Sequence, residues 1–90
     1  MPEAAKRSEL YPDATNEAAA DDQYQLGLDY STGHEGMPVD YVMAHMWLNV
    51  AAMHGSEAAR ALRREISEYM SREEVAEAQR LAREWVGRTH

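Results

Sequence analysis

Four histidines, His34, His45, His54 and His90, are the side chains of this sequence best suited to hold a transition metal, and His45 lies one helical turn from Asn49. Zinc needs three or four convergent ligands, and no His-Glu-x-x-His motif or second paired histidine accompanies them. Methionines near His45 and His54 offer soft donors that suit copper. Cysteine is absent, which excludes disulfides, thiolate ligands and cysteine nucleophiles together. The serines Ser8, Ser31, Ser56, Ser67 and Ser71 lack the glycine pattern of a nucleophile elbow. Gly27, Gly33 and Gly36 follow no strand pattern, so phosphate-loop and dinucleotide chemistry are unsupported. Carboxylate pairs such as Asp21-Asp22 and Glu73-Glu74 suit helix starts, where the macrodipole favours negative charge. No catalytic residue, metal or cofactor is expected, and a histidine-methionine metal binder remains the remotest reading.

The elements that carry these residues are helical. Ninety residues, of which 44% are hydrophobic, make one small domain with a modest core. Met1 to Asn16 holds Pro2 and Pro12 and shows no clear period, so it reads as a weakly ordered lead-in with a helical turn near Glu3 to Glu9. A first helix is expected from Glu17 to about Ser31, with Ala18, Asp22, Leu26 and Tyr30 on one face and Gly27 beside them. A mid-helix glycine costs about 1 kcal/mol relative to alanine, so close approach of a second helix is its expected reason.

Gly33 to Val39 is a loop, and Asp40 stands where an N-cap belongs. The helix it opens carries two apolar stripes. Tyr41, Ala44, Trp47, Leu48, Ala51 and Ala52 form one; Met43, Met46, Val50 and Met53 form the other. A helix apolar on nearly all sides is expected to lie between neighbours. Gly55 ends it as a C′ residue. Ser56 caps a third helix with Ala59, Leu62, Ile66, Tyr69 and Met70 inward. Ser71-Arg-Glu-Glu74 matches a capping box and opens a fourth, with Val75, Ala78, Ala82, Trp85 and Val86 inward and Gly87 at its end. On its outer side Glu77 pairs with Arg80, and Glu84 with Arg88. The expected fold is all-α, four helices in antiparallel hairpins.

Leu26-Gly27-x-x-Tyr30-x-x-Gly33, then Gly36, Pro38 and Asp40, then Ala44-x-x-Trp47-x-x-x-Ala51-Ala52-x-x-Gly55, resembles one unit of the Sel-one-like repeat family, relatives of the tetratricopeptide repeats. Ser56 to Val86 looks like the degenerate last unit of many bacterial members, with a matching pattern from Met70 to Trp85 that includes Glu77-Ala-Gln-Arg-Leu-Ala-Arg83. The resemblance covers about two thirds of the chain. It implies hairpin repeats stacked as a short right-handed solenoid: a lead-in at 1–16, a repeat at 17–55 and a degenerate repeat at 56–90. Leu26, Gly27, Tyr30, Ala44, Trp47, Ala51, Ala52 and Gly55 are then the structural repeat positions. Small Gly27, Ala44, Ala51 and Ala52 let two helices approach, with Leu26, Tyr30 and Trp47 filling the space around the crossing. Asp22 stands where the family usually has alanine, which implies that the face beside it is open to water. The loop from Gly33 to Gly36 is one residue longer than the common Gly-x-Gly spacing.

Charge is unevenly placed. From Met1 to Gly55 nine acidic residues face only Lys6 and Arg7, while from Ser56 to His90 seven arginines balance seven glutamates. The net charge of −7 has the wrong sign for a nucleic-acid binder. No apolar run approaches the roughly 20 residues of a membrane span, and the start lacks the apolar region of a signal peptide. The chain therefore reads as cytoplasmic, or as periplasmic or secreted where an export signal has been removed. The resemblance implies a non-enzymatic protein-protein interaction module or small adaptor, with Tyr24, Asp29, His45, Met46 and Asn49 as the less buried partner-binding candidates. The alternative is a homo-oligomer assembled through the stripe of Met43, Met46, Val50 and Met53, whose structural counter-reading is that the stripe packs on the helix from Ser56 to Met70.

Overall fold

The computed structural model describes residues 16–36 and 38–89, and the expected lead-in lies outside them apart from Asn16. The described residues form four α-helices and no strand: α1 (Asn16–Thr32), α2 (Tyr41–Met53), α3 (Glu57–Ser67) and α4 (Arg72–Thr89), with a 3-10 turn at His34–Gly36 between the first two.

Local chemistry fixes most of the helix ends. Gly33, at φ +71°, closes α1, and its N–H donates to the Asp29 carbonyl at 2.9 Å. The hydroxyls of Ser31 and Thr32 both donate to the Leu28 carbonyl, at 2.8 and 3.0 Å. The loop holds the 3-10 turn and Gly36 at φ +81°, and the Asp40 N–H then returns to the Tyr30 carbonyl at 2.9 Å. Asp40 caps α2 by accepting from the Met43 N–H at 3.1 Å. At its far end Gly55 takes φ +103°, with Gly55 N–H to Ala52 carbonyl and Ser56 N–H to Ala51 carbonyl, both at 3.0 Å, the paired bonds of a Schellman motif. Ser56 caps α3 through the Ala59 N–H at 3.0 Å. Ser71 and Glu74 bond each other's backbone N–H reciprocally at 3.0 and 2.8 Å, the capping box expected at the start of α4. Gly87 does not end that helix, which runs through it to Thr89.

The centre of the fold is α2. On one side Ala44, Leu48, Ala51 and Ala52 pack with Ala59 and Ile66 of α3, and Tyr24 and Tyr30 of α1 close over them. On the other side Met46 and Val50 pack with Ala78 and Ala82 of α4. A helix apolar on two faces is thus buried on two faces, as expected. Its neighbours differ from expectation. The methionine-rich side is covered by α4, neither left open for a second copy nor packed on α3. Met46 and Val50 are buried, Met43 is half-buried and only Met53 stands out, 58% exposed.

Gly27 justifies its position. It is buried against α2, and a Cβ built on it would lie 2.5 Å from Leu48 Cδ2 and 3.2 Å from the Ala44 carbonyl oxygen. The inner face of α1 is carried by Ala19, Ala20, Gln23 and Gly27, one residue along from the expected stripe. Asp22 is exposed and Leu26 only half-buried. Gln23 is tolerated in the interface because its Oε1 accepts from His54 Nδ1 at 2.8 Å across to the end of α2.

Trp47 also departs from the expected packing. It does not fill the α1–α2 crossing; it is half-buried in the second cluster, edge-on to Trp85 of α4 with ring centroids 5.3 Å apart. Tyr69, expected inward, is 70% exposed and stacks on Tyr41 at 6.0 Å, because it follows the last turn of α3. The second antiparallel pair is not formed. α3 and α4 pack on opposite sides of α2 and hardly touch each other, so a cleft opens between them.

Candidate functional site

The cleft has a volume of about 500 Å³ and opens between α3 and α4 above α2. Asn49, Ala52 and Met53, at helical spacing, form its floor. Arg60 and Arg63, three apart on α3, make one wall; Gln79, Ala82 and Arg83 of α4 make the other. The alanines matter physically, since larger side chains at Ala52 and Ala82 would fill the space.

Its electrostatics contrast with the rest of the chain. None of its lining residues is acidic, although the protein carries 16 carboxylate side chains. Arg60 pairs with Glu57 at 3.2 Å. Among the described residues Arg63 bonds a neutral group and no carboxylate, donating from Nη1 to Asn49 Oδ1 at 2.9 Å. Arg83 pairs with no carboxylate among the described residues. One turn earlier on α4, Arg80 is bound by Glu77 at 2.6 Å and by Glu84, which holds Glu77 below the usual carboxylate range. Arg80 is therefore neutralised on the outer surface, whereas Arg63 and Arg83 leave their charge in the cleft.

A ring of hydrogen bonds beneath the floor sets the position of Arg63. Its guanidinium has only donors, so Asn49 Oδ1 must accept and Asn49 Nδ2 must donate onward. That donation goes to His45 Nδ1 at 2.9 Å, so the proton of the neutral ring sits on Nε2. Nε2 then donates to Ser67 Oγ at 3.0 Å, and Ser67 Oγ donates to the Arg63 carbonyl at 2.7 Å. The ring closes on the residue where it began and ties α2 to α3. His45 is 2% exposed, and its pKa is lowered from 6.5, first by burial and then by the Arg63 charge. Both of its nitrogens are engaged in keeping Asn49 and Ser67 in place.

Of the five partner-binding candidates read from sequence, the fold brings only Asn49 to this cleft. His45 and Met46 are corrected outright: both are buried, His45 under α3 and Met46 under α4, because the two stripes of α2 are covered by different helices. Tyr24 packs on the first cluster, and the half-buried Asp29 accepts from Gln25 Nε2 at 3.0 Å. Of the structural repeat positions, Gly27, Ala44, Ala51 and Ala52 are buried, whereas Gly55 is exposed and acts through its backbone. Among the described residues no three of His, Cys, Asp and Glu converge on a common point. No helix there is long and apolar enough to cross a membrane.

Sequence reasoning missed Arg60, Arg63, Gln79 and Arg83, yet a signal for two of them was present. Neither Arg63 nor Arg83 has a carboxylate three or four positions away in the chain, unlike Arg60, Arg64, Arg80 and Arg88. The even balance of seven arginines and seven glutamates over the C-terminal half conceals that local excess. Comparison with protein-family models, with curated proteins and with solved structures found no match.

Proposed function

We propose that this chain is a non-enzymatic protein-protein interaction module, and that the cleft between α3 and α4 receives a segment of its partner. The observation that supports this reading is an open, 500 Å³ cleft that combines unneutralised arginines with an apolar floor. Its lining holds amides, guanidiniums and aliphatic groups, with no nucleophile beside a base, so it is suited to recognition rather than to turnover. On this reading α1 and α2 are one Sel-one-like unit, and α3 and α4 are a worn second unit whose helices have splayed over α2. A self-assembling homo-oligomer through the methionine stripe is not favoured, since Met46 and Val50 are covered by α4 of the same chain.

A photo-cross-linking side chain placed at Gln79, on the cleft wall, tests the site against the same probe at the exposed Glu73 on α4. The expected result in extract of the source cell is a discrete protein adduct from position 79 that position 73 does not give. Equal labelling at both positions, or no adduct from position 79, refutes the cleft as the partner-binding surface.

A further inference from the structure

We infer that the cleft is selective for an acidic peptide segment, with carboxylates on Arg63 and Arg83 and an apolar side chain laid on the exposed Met53. This rests on the reading of the cleft as a partner-binding surface and names the chemistry of the partner.

Like charges facing one another across a cleft repel, and here nothing within the lining relieves the repulsion. A carboxylate entering between Arg63 and Arg83 supplies that relief. Arg63 is also held ready. Asn49 takes one N–H of its guanidinium, and the ring through His45 and Ser67 fixes Asn49, so the fork does not have to be ordered on binding. Its remaining donors match the planar geometry of a carboxylate.

A peptide fits better than a bare anion because charge accounts for only half of the surface. Met53 is 58% exposed at the floor, and a small inorganic ion would leave it in water. Gln79, whose amide has no partner among the described residues, lies on the wall within reach of a passing peptide backbone. A polynucleotide is a poorer fit, since the lining has no aromatic side chain on which a base could stack and only three cations, Arg60, Arg63 and Arg83, for a run of phosphates.

The test is fluorescence anisotropy of a short labelled peptide in which glutamate alternates with leucine, titrated with the full chain. Binding is expected to weaken with added salt and to disappear when glutamine replaces each glutamate. Arg83→Gln is expected to weaken binding about tenfold, whereas Arg80→Gln, already neutralised by Glu77 and Glu84, changes it less than about twofold. Arg63→Gln is expected to weaken binding at least as much, with circular dichroism confirming that the variant folds; Arg83 lies outside the buried ring, so its variant is the decisive one. No anisotropy change up to about millimolar protein, or equal binding of the glutamine peptide, overturns the proposal. So does an Arg83→Gln effect no larger than that of Arg80→Gln, displacement by inorganic phosphate as potent as by unlabelled peptide, or tighter binding of a single-stranded oligonucleotide. Failure of the acidic peptide to bind, with the cross-link at position 79 intact, retains the cleft as a docking surface and removes its acidic selectivity; absence of that cross-link removes the docking surface itself.

Discussion

Gly27→Ala tests the packing that organises this fold, because it sets two known effects against each other at one atom. Replacing a mid-helix glycine by alanine ordinarily stabilises a helix by about 1 kcal/mol. Here the new methyl would lie 2.5 Å from Leu48 Cδ2, 2.6 Å from Leu48 Cγ and 3.2 Å from the Ala44 carbonyl oxygen. Carbon atoms pack best at roughly 3.5–4.0 Å, so α1 or Leu48 must move by about 1 Å. Leu48 is fully buried, and the carbonyl belongs to the backbone of α2, so neither yields cheaply. Overpacking of this kind costs about 1–3 kcal/mol, which exceeds the gain in helix propensity and leaves Gly27→Ala destabilised by about 1 kcal/mol. In a Leu48→Ala background both clashing side-chain atoms are gone, and the same substitution becomes stabilising by up to about 1 kcal/mol. The coupling in the cycle is then about 1–3 kcal/mol. Urea unfolding of the four proteins, followed by far-UV circular dichroism in one fixed concentration of sucrose, keeps the weakest variant folded. An increase of about 1 kcal/mol for Gly27→Ala in the wild-type chain, with no coupling to Leu48, would refute the close crossing of α1 and α2.

The half-buried Trp47 and Trp85 are expected to couple by about 0.5–1.5 kcal/mol in a double-mutant cycle of alanine variants, and Trp47→Ala alone to cost about 2–3 kcal/mol, less than a fully buried tryptophan. Additive losses would show that the two rings do not touch in solution. His45 makes stability fall on acidification. Its folded pKa is lowered from 6.5, so below pH 6.5 the unfolded chain binds the proton more readily than the folded one. Stability due to His45 is therefore intact above pH 6.5 and is lost as pH falls from there to the folded value, at no more than about 1.4 kcal/mol per pH unit. Thermal melts of wild type and His45→Gln across that window should not run parallel, the wild type losing stability more steeply as pH drops. Parallel curves would mean that the imidazole is not buried in neutral form.

Contacts between residues a few positions apart are legible along the chain. Asp40 with Met43, Ser56 with Ala59 and Ser71 with Glu74 each need only one helical turn to meet, so their spacing along the chain already states the contact. Gly55 ending α2, the outer pairs of α4 and the two apolar stripes of α2 are legible for the same reason. Even Gly27 could be read as a close approach, because nothing local explains a glycine there.

Which helix covers which stripe is a different kind of fact. It depends on the direction the chain takes after the turn at Glu68 to Ser71, where a small change in backbone angle carries α4 across α2 or back along α3. That choice places Met46 and Val50 under α4 and draws Trp47 away from the α1 crossing, while the earlier turn from α2 into α3 buries His45 beneath Ser67. It also brings Arg83 across from Arg63, twenty positions away in the chain. Periodicity assigns a residue to a face of its own helix and carries no information about what stands opposite. The tertiary structure alone decided that the space between α3 and α4 would stay open and positively charged.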